Sequence, residues 1–246
     1  MTDLPRPPVL SVRHALFLDF DGTLAPLQDD PDTVMLTDGA GPVLAQLADA
    51  LEGAVALISG RDIADLARRV PAALWRIGNH GVNVLAPGAG AAARDDSAPD
   101  QLKTLFAGIA AAHPGTRVEE KGSVIALHYR ARPDLKQTLL DAVAGVPDTA
   151  EGYAVQAGKM VIEAKPAGAN KGEALTRLMQ QQPFAGRVPL MVGDDATDED
   201  GFEAALALGG DGVKVGDGET QAGYRLASPE AVCRWLDQGV EEGLSQ

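Results

Sequence analysis

The chain of 246 residues is short of several things. It has one cysteine, Cys233. That excludes an internal disulfide framework and a thiolate-rich zinc site. In its context AVCRWL, Cys233 reads as a buried small hydrophobe. Four histidines, His14, His80, His113 and His128, lie far apart and form no His-rich metal motif. Aromatic residues make up 4% of the chain, so the core must be chiefly aliphatic. No apolar run approaches the ~18 residues of a membrane span. The N-terminal MTDLPRPPVL lacks a cationic start followed by an apolar stretch, so no signal peptide is expected and the expected compartment is the cytoplasm. Cations are also scarce: 21 Lys and Arg face 35 Asp and Glu, a net charge of −14. A diffusely acidic surface repels nucleic-acid backbones. A small anionic substrate still fits, because a local basic pocket outweighs a diffuse field.

What is present is ordinary for a globular protein: 45% hydrophobic and 23% charged residues. The length suits one large domain, or a core with a smaller insert. Residues 1–12 read as a surface lead-in. Compact apolar runs predict strands at His14–Phe20 and Ala54–Ile58, with shorter ones at Trp75–Ile77 and Val82–Leu85. Helical spacing falls at Gly41–Leu51 and Ile63–Val70. This alternation predicts a parallel sheet with helices on its faces. Pro87–Pro99 breaks the pattern and reads as a domain junction. Beyond it the order becomes helix (Leu102–Ala112), hairpin (Arg117–Glu120, Ser123–Arg130), helix (Leu135–Val143), hairpin (Tyr153–Gln156, Met160–Glu163). The α/β style resumes with a helix at Lys171–Met179, a strand at Val188–Val192 and a helix at Glu199–Leu208. A strand at Gly212–Val215 and a helix at Pro229–Leu236 follow. The expected fold is α/β, a Rossmann-like parallel core of residues 1–86 and 167–246 with an inserted α+β cap of residues 87–166.

Four segments at predicted strand ends or helix starts carry the chemistry, where open α/β sheets bind ligands. Asp19 and Asp21 close an apolar strand two residues apart, followed by Gly22. Two near carboxylates repel, and a divalent cation relieves the repulsion. The plainer reading is a solvated strand end. Ser59-Gly60-Arg61 follows the second strand, either as a phosphate-binding turn or as an ordinary turn or N-cap. Lys171 begins a helix, against the macrodipole, which marks a local rule broken for function or a plain surface lysine. Asp194, Asp195, Asp198, Glu199 and Asp200 crowd the start of another helix, as a cation site or as acids suited to the dipole.

The run Asp19-Phe20-Asp21-Gly22-Thr23 resembles the first motif of the haloacid dehalogenase superfamily. Ser59, Lys171 and Gly193-Asp194-Asp195-Ala196-Thr197-Asp198 resemble the second, third and fourth, in superfamily order. The resemblance implies Asp19 as nucleophile and Asp21 as general acid and base. It makes Ser59 and Lys171 the catalytic groups that hold and neutralise the phosphoryl oxygens. It also implies Mg²⁺ bound by Asp19, the main-chain carbonyl of Asp21 and Asp194, with Asp198 a further, indirect ligand. The chemistry is coherent. A carboxylate attacks phosphorus unaided, while a sugar alkoxide needs a proton to leave.

Finer features resemble the trehalose-6-phosphate phosphatases within that superfamily. They are Ile58-Ser59-Gly60-Arg61, Gly78-Asn79-His80-Gly81, Glu119-Glu120-Lys121, His128-Tyr129-Arg130, Glu163-Ala164-Lys165-Pro166 and Asn170-Lys171-Gly172. The resemblance implies a cap that closes over a phosphorylated disaccharide and hydrolysis of trehalose 6-phosphate. It implies substrate contacts from Ser59, Gly60, Arg61, Glu119, Lys121, Arg130, Glu163 and Asn170. Carboxylates and lysines offer a hydroxyl-rich sugar directional hydrogen bonds. His128 and Arg130 read equally as sugar contacts or as packing or cap–core salt-bridge residues, and His80 as a core or loop histidine or a substrate contact. Gly201, Phe20 and Lys165 depart from the family's frequent Met, Tyr and Arg. The expected partner is the small-molecule substrate alone, with no nucleic acid and no membrane, and a stand-alone monomer is expected. The rival readings are another capped sugar-phosphate phosphatase, a phosphomutase, and a non-catalytic sugar-phosphate sensor.

Overall fold

The structure, a computed structural model, describes residues 4–28, 30–90, 97–158 and 160–242. It divides into two compact units, one of residues 1–91 and 170–246, the other of residues 92–169. The predicted junction Pro87–Pro99 falls partly outside the described residues, at 91–96.

The larger unit is built on a seven-stranded sheet. Its strands are β1 (His14–Leu18), β2 (Val55–Ile58), β3 (Trp75–Gly78), β4 (Asn83–Leu85), β9 (Val188–Gly193), β10 (Asp211–Val215) and β11 (Tyr224–Leu226). Their order across the sheet is β11-β10-β9-β1-β2-β3-β4. Ala15–Leu18 and Val55–Ile58 are wholly buried. Continuous apolar runs of this kind suit strands covered on both faces. Every pairing is parallel except β3 with β4, which is antiparallel. The one exception has a simple reason. Only the turn 79–82 joins the two strands, and a parallel return needs a crossover of roughly a dozen residues.

Five helices intervene: α1 (Ala40–Ala50), α2 (Ile63–Arg69), α6 (Lys171–Met179), α7 (Glu199–Ala207) and α8 (Pro229–Glu241). Helix α1 packs on α8, and α6 on α7. Asp62 caps α2 and Asn170 caps α6 through their side-chain oxygens. Three of the scarce aromatics meet in one place. Phe17 and Phe184 stack at 5.3 Å, and Trp75 meets Phe184 edge-on at 5.8 Å.

Three expectations need correction. The lead-in is anchored: Leu10 is fully buried, and the Pro8 carbonyl accepts a hydrogen bond from the Trp235 indole at 2.9 Å. Strand β11 was not foreseen, because Tyr-Arg-Leu is too short to show alternation. Cys233 is half-buried rather than buried.

The smaller unit carries a four-stranded antiparallel sheet in the order β5-β6-β8-β7. The strands are β5 (Arg117–Lys121), β6 (Val124–His128), β7 (Tyr153–Gly158) and β8 (Val161–Pro166). Its helices are α3 (Asp100–Ala112), α4 (Lys136–Val143) and the short, unforeseen α5 (Val146–Thr149). The two predicted hairpins are joined through β6 and β8. Ile125, Leu127, Ile162 and Ala164 lie in one core with Leu102, Phe106 and Leu139 of the helices. Side chains alternate along a strand, so the residues between them face the other way.

Candidate active site

Register brings three predicted site segments to one end of the larger sheet. Leu18 of central β1 pairs with Leu57 on one side and Val192 on the other. Asp19, Ser59 and Asp194 therefore leave the sheet at nearly one level. The chain runs from β1 to β2 and β3 on one side, and returns at β9 on the other. Such a reversal opens a crevice at the strands' carboxyl ends.

Asp19, Asp194 and Asp198 each bring a carboxylate oxygen within 4.8 Å of the others. Lys171, 2% exposed, enters between them. Its ammonium donates to Asp19 Oδ1 at 2.7 Å and to Asp198 Oδ1 at 2.6 Å. Burial works against the ammonium's charge, but Asp19 and Asp198 outweigh it and raise the Lys171 pKa. Burial likewise pushes Asp19 well up, against the pull of Lys171. The lysine at a helix start is thus no surface residue.

Asp198 ties the acidic segment together. Its Oδ2 accepts the amides of Asp194 and Asp195, both at 3.0 Å, while Oδ1 takes Lys171. Burial lifts its pKa to about 7 despite Lys171. Burial and the neighbouring Asp195 lift Asp194 to about 6. Asp195 behaves differently. Burial raises it, but Lys171 and two hydrogen bonds from Thr197 outweigh that and hold it at about 2. Asp194 Oδ1 is buried without a hydrogen-bond partner. An orphaned buried carboxylate oxygen beside two more carboxylates fits an oxygen-ligated divalent cation such as Mg²⁺.

Gly22 admits this packing. Its φ is +83°, and a Cβ there would stand 2.2 Å from Asp194 Oδ2. Gly201 has a similar reason. A Cβ would lie 3.1 Å from Met191 Cγ, so Met191 fills the room a larger residue would take.

Asp21 stands apart from the carboxylate group. Its two oxygens take the Arg61 guanidinium as a fork, at 2.8 and 2.6 Å. Arg61 also donates to Asp65 at 2.8 Å and lies 5.2 Å from the Phe20 ring centroid. Arg61, expected on the substrate, is here engaged by protein carboxylates. Ser59 is buried, and its hydroxyl accepts the Arg61 amide at 3.1 Å. Asn170, also expected on the substrate, uses Oδ1 to accept the Glu173 amide at 2.7 Å as the cap of α6.

The predicted sugar contacts of the smaller unit share one face of its sheet. Glu119, Ala126, Glu163 and Gln156 form one row across β5, β6, β8 and β7. Lys121, His128 and Lys165 stand one pleat away on the same side. Lys121 donates to Glu163 at 3.1 Å, and His128 pairs with Glu119 at 2.7 Å. The His128 hydrogen bond, above all, holds the Glu119 pKa low. Arg130 lies in the exposed turn after β6, off this row.

Two residues were missed. Asp65 braces Arg61 and also takes Arg69 at 2.9 Å and Arg68 at 3.2 Å. Buried Lys214 on β10 donates to the Asp194 carbonyl. A lysine inside the apolar run Gly-Val-Lys-Val was a readable signal for the second; for the first the signal was spacing, since Asp65 lies four residues from Arg61 and Arg69 and three from Arg68.

Comparison with known proteins agrees with this geometry. The trehalose-phosphatase family profile matches residues 17–230. The trehalose-6-phosphate phosphatase of Escherichia coli K12 is 41% identical over 245 residues, 95% of this chain and 89% of the relative. A probable trehalose-phosphate phosphatase of Sinorhizobium fredii NGR234 is 39% identical over 211 residues, 82% and 77% of the two chains. The solved C-terminal domain of C. albicans trehalose-6-phosphate phosphatase superposes with a TM-score of 0.80 at 26% identity, covering 97% of this chain and 98% of that one. A haloacid dehalogenase-like hydrolase from B. subtilis, at 15% identity and a TM-score of 0.67, shares the fold.

Proposed function

The chain belongs to the trehalose-phosphatase family, and we propose that it hydrolyses trehalose 6-phosphate to trehalose and inorganic phosphate. The observation that carries this reading is the buried Asp19 carboxylate at the tip of central β1, ion-paired to Lys171 at 2.7 Å.

Lys171 holds Asp19 Oδ1 and orients the carboxylate that attacks phosphorus. The new bond joins Asp19 to the phosphoryl group, and the bond to the sugar oxygen breaks. Asp21 gives the departing alkoxide its proton. Water then attacks the aspartyl-phosphate, Asp21 takes its proton, and inorganic phosphate leaves with Asp19 restored. In the resting site the Arg61 fork holds both Asp21 oxygens, so Asp21 leaves that fork and takes up a proton before it acts on the sugar oxygen. Ser59 and the Gly60 amide hold the phosphoryl oxygens, and Lys171 offsets their charge.

Asp19 and Asp194 hold the metal in this reading, with the main-chain carbonyl of Asp21. Asp198 has both oxygens engaged within the protein, so it positions rather than ligates. Bound Mg²⁺ supplies charge neutralisation between the nucleophile and the phosphoryl oxygens. The polar face of the smaller sheet, with Glu119, Lys121 and Glu163, reads the sugar hydroxyls. The same reading takes the enzyme to be cytoplasmic and monomeric, its net charge of −14 favouring dispersed molecules.

The test is phosphate release from trehalose 6-phosphate, glucose 6-phosphate and sucrose 6-phosphate, with Mg²⁺ and with EDTA. A strong, Mg²⁺-dependent preference for the trehalose ester is expected. Equal rates on all three would sink the sugar assignment. Full activity in Asp19→Asn would sink the mechanism.

A further inference from the structure

We infer that Asn79 and His80 are positioning residues for the Ser59–Arg61 loop, acting on its backbone and not on the sugar. The inference rests on the proposed role of that loop in holding the phosphoryl group. The turn after β3 reads Gly78-Asn79-His80-Gly81. Asn79 and His80 both have left-handed backbones, with φ of 51° and 54°. Successive non-glycine residues in that region are uncommon, and Asn and His are among the few types enriched there.

The conformation turns both amides back onto the loop. The Asn79 N–H donates to the Arg61 carbonyl at 2.8 Å, and the His80 N–H to the Ser59 carbonyl at 2.9 Å. The carbonyls on either side of Gly60 are thereby pinned. The His80 ring lies against Gly60 itself: a Cβ on Gly60 would stand 2.4 Å from Nε2 and 2.6 Å from Cε1. The Asn79 side chain donates to Asn83 at 3.0 Å, fastening the turn to β4. On its other edge the turn meets the start of α6. A Cβ on Gly81 would lie 2.8 Å from the Asn170 carbonyl, and the Arg177 guanidinium donates to the Gly81 carbonyl. One turn thus braces both the Ser59 loop and the helix start that carries Lys171.

The test uses kcat and KM on trehalose 6-phosphate and on phenyl phosphate, an ester without a sugar, together with the inhibition constant of inorganic phosphate. His80→Gly removes the ring and leaves the backbone path open, since glycine adopts positive φ freely. Its kcat/KM should fall about tenfold on both esters, with a matching rise in the phosphate inhibition constant. Gly60→Ala drives a methyl into the ring and should cost roughly 100-fold. Gly60→Ala combined with His80→Gly should regain part of that loss, because the space reopens. A loss confined to trehalose 6-phosphate would overturn the inference and make His80 a sugar contact. An unchanged phosphate inhibition constant, or losses that multiply in the double variant, would overturn it too. Thermal melts check folding, and His80→Asn replaces His80→Gly if the latter does not fold. A wild-type protein that cleaves phenyl phosphate but not trehalose 6-phosphate would defeat the proposed function and leave this test intact.

Discussion

The two units present their polar residues by opposite means. In the seven-stranded unit, Asp19, Ser59 and Asp194 lie just beyond the ends of parallel strands, Asp19 and Ser59 still tied to the neighbouring strands by their amides. Their charges are packed inward and answered by buried Lys171 and Lys214. In the four-stranded unit, Glu119, Lys121 and Glu163 stay within antiparallel strands, and their placement follows from pairing. The first design fixes atoms through loops and ion pairs. The second fixes a face by strand register, with the Lys121–Glu163 and Glu119–His128 pairs added upon it, and a slip of one residue would turn that face over. Chemistry that must be the same for every phosphate ester suits the first, and recognition of a particular sugar suits the second.

The largest expected effect falls on the first design. Lys171→Met leaves Asp19 and Asp198 buried without their cation, and kcat should drop at least ~10⁴-fold on trehalose 6-phosphate and phenyl phosphate alike. Steady-state kinetics on both esters decides this, and survival on either breaks the division of labour. Gly22→Ala comes next. It strains a positive φ and collides with Asp194 Oδ2. The expected cost is about 1–3 kcal/mol of stability, read by urea unfolding, together with weaker Mg²⁺ binding by calorimetry. Glu163→Gln should act on the sugar ester alone. It loses charge-assisted hydrogen bonds worth roughly 1.5–3 kcal/mol, about 10- to 100-fold in kcat/KM. An equal loss on phenyl phosphate would erase the contrast between the units.

The smallest effect concerns pH. Burial raises the Asp65 pKa, but hydrogen bonds from Arg69, Arg61 and Arg68 outweigh it and hold it at about 2. A folded pKa below the ordinary carboxylate value stabilises the fold above that ordinary value. The contribution is lost as pH falls through the ordinary value towards about 2. After solvent screening it is on the order of 1 kcal/mol. Asp65→Asn should therefore be less stable than wild type at neutral pH, and the difference should vanish near pH 2. Urea melts across that range measure it, and a constant difference would refute it.

Legibility in the sequence differs between the units for the same physical reason. Asp19, Lys171 and Asp194 announce themselves because carboxylates at the ends of apolar runs, and a lysine at the start of a helix, violate local preference. Helix α6 even begins and ends where its spacing predicts, at Lys171 and Met179. The polar face of the smaller sheet is less visible. That Glu119 and Glu163 share a row depends on β6 lying between β5 and β8, and no local pattern encodes that neighbourhood. Arg61, expected on the substrate, is paired here with Asp21 and Asp65; that Asp21 comes within its reach depends on β1 lying beside β2, a neighbourhood that no local pattern encodes.

Lys171 also bears on how such a pocket comes into being. Carboxylates forced together during folding would drive the nascent loops apart if they had to wait for an ion from solution. Here the compensating charge is delivered by the polypeptide itself, tethered at the first turn of a helix. On the proposed reading of a Mg²⁺ site, the pocket keeps a balancing charge when the ion leaves, so protein stripped by a chelator is expected to regain its function on readdition of Mg²⁺, without passing through an unfolded state.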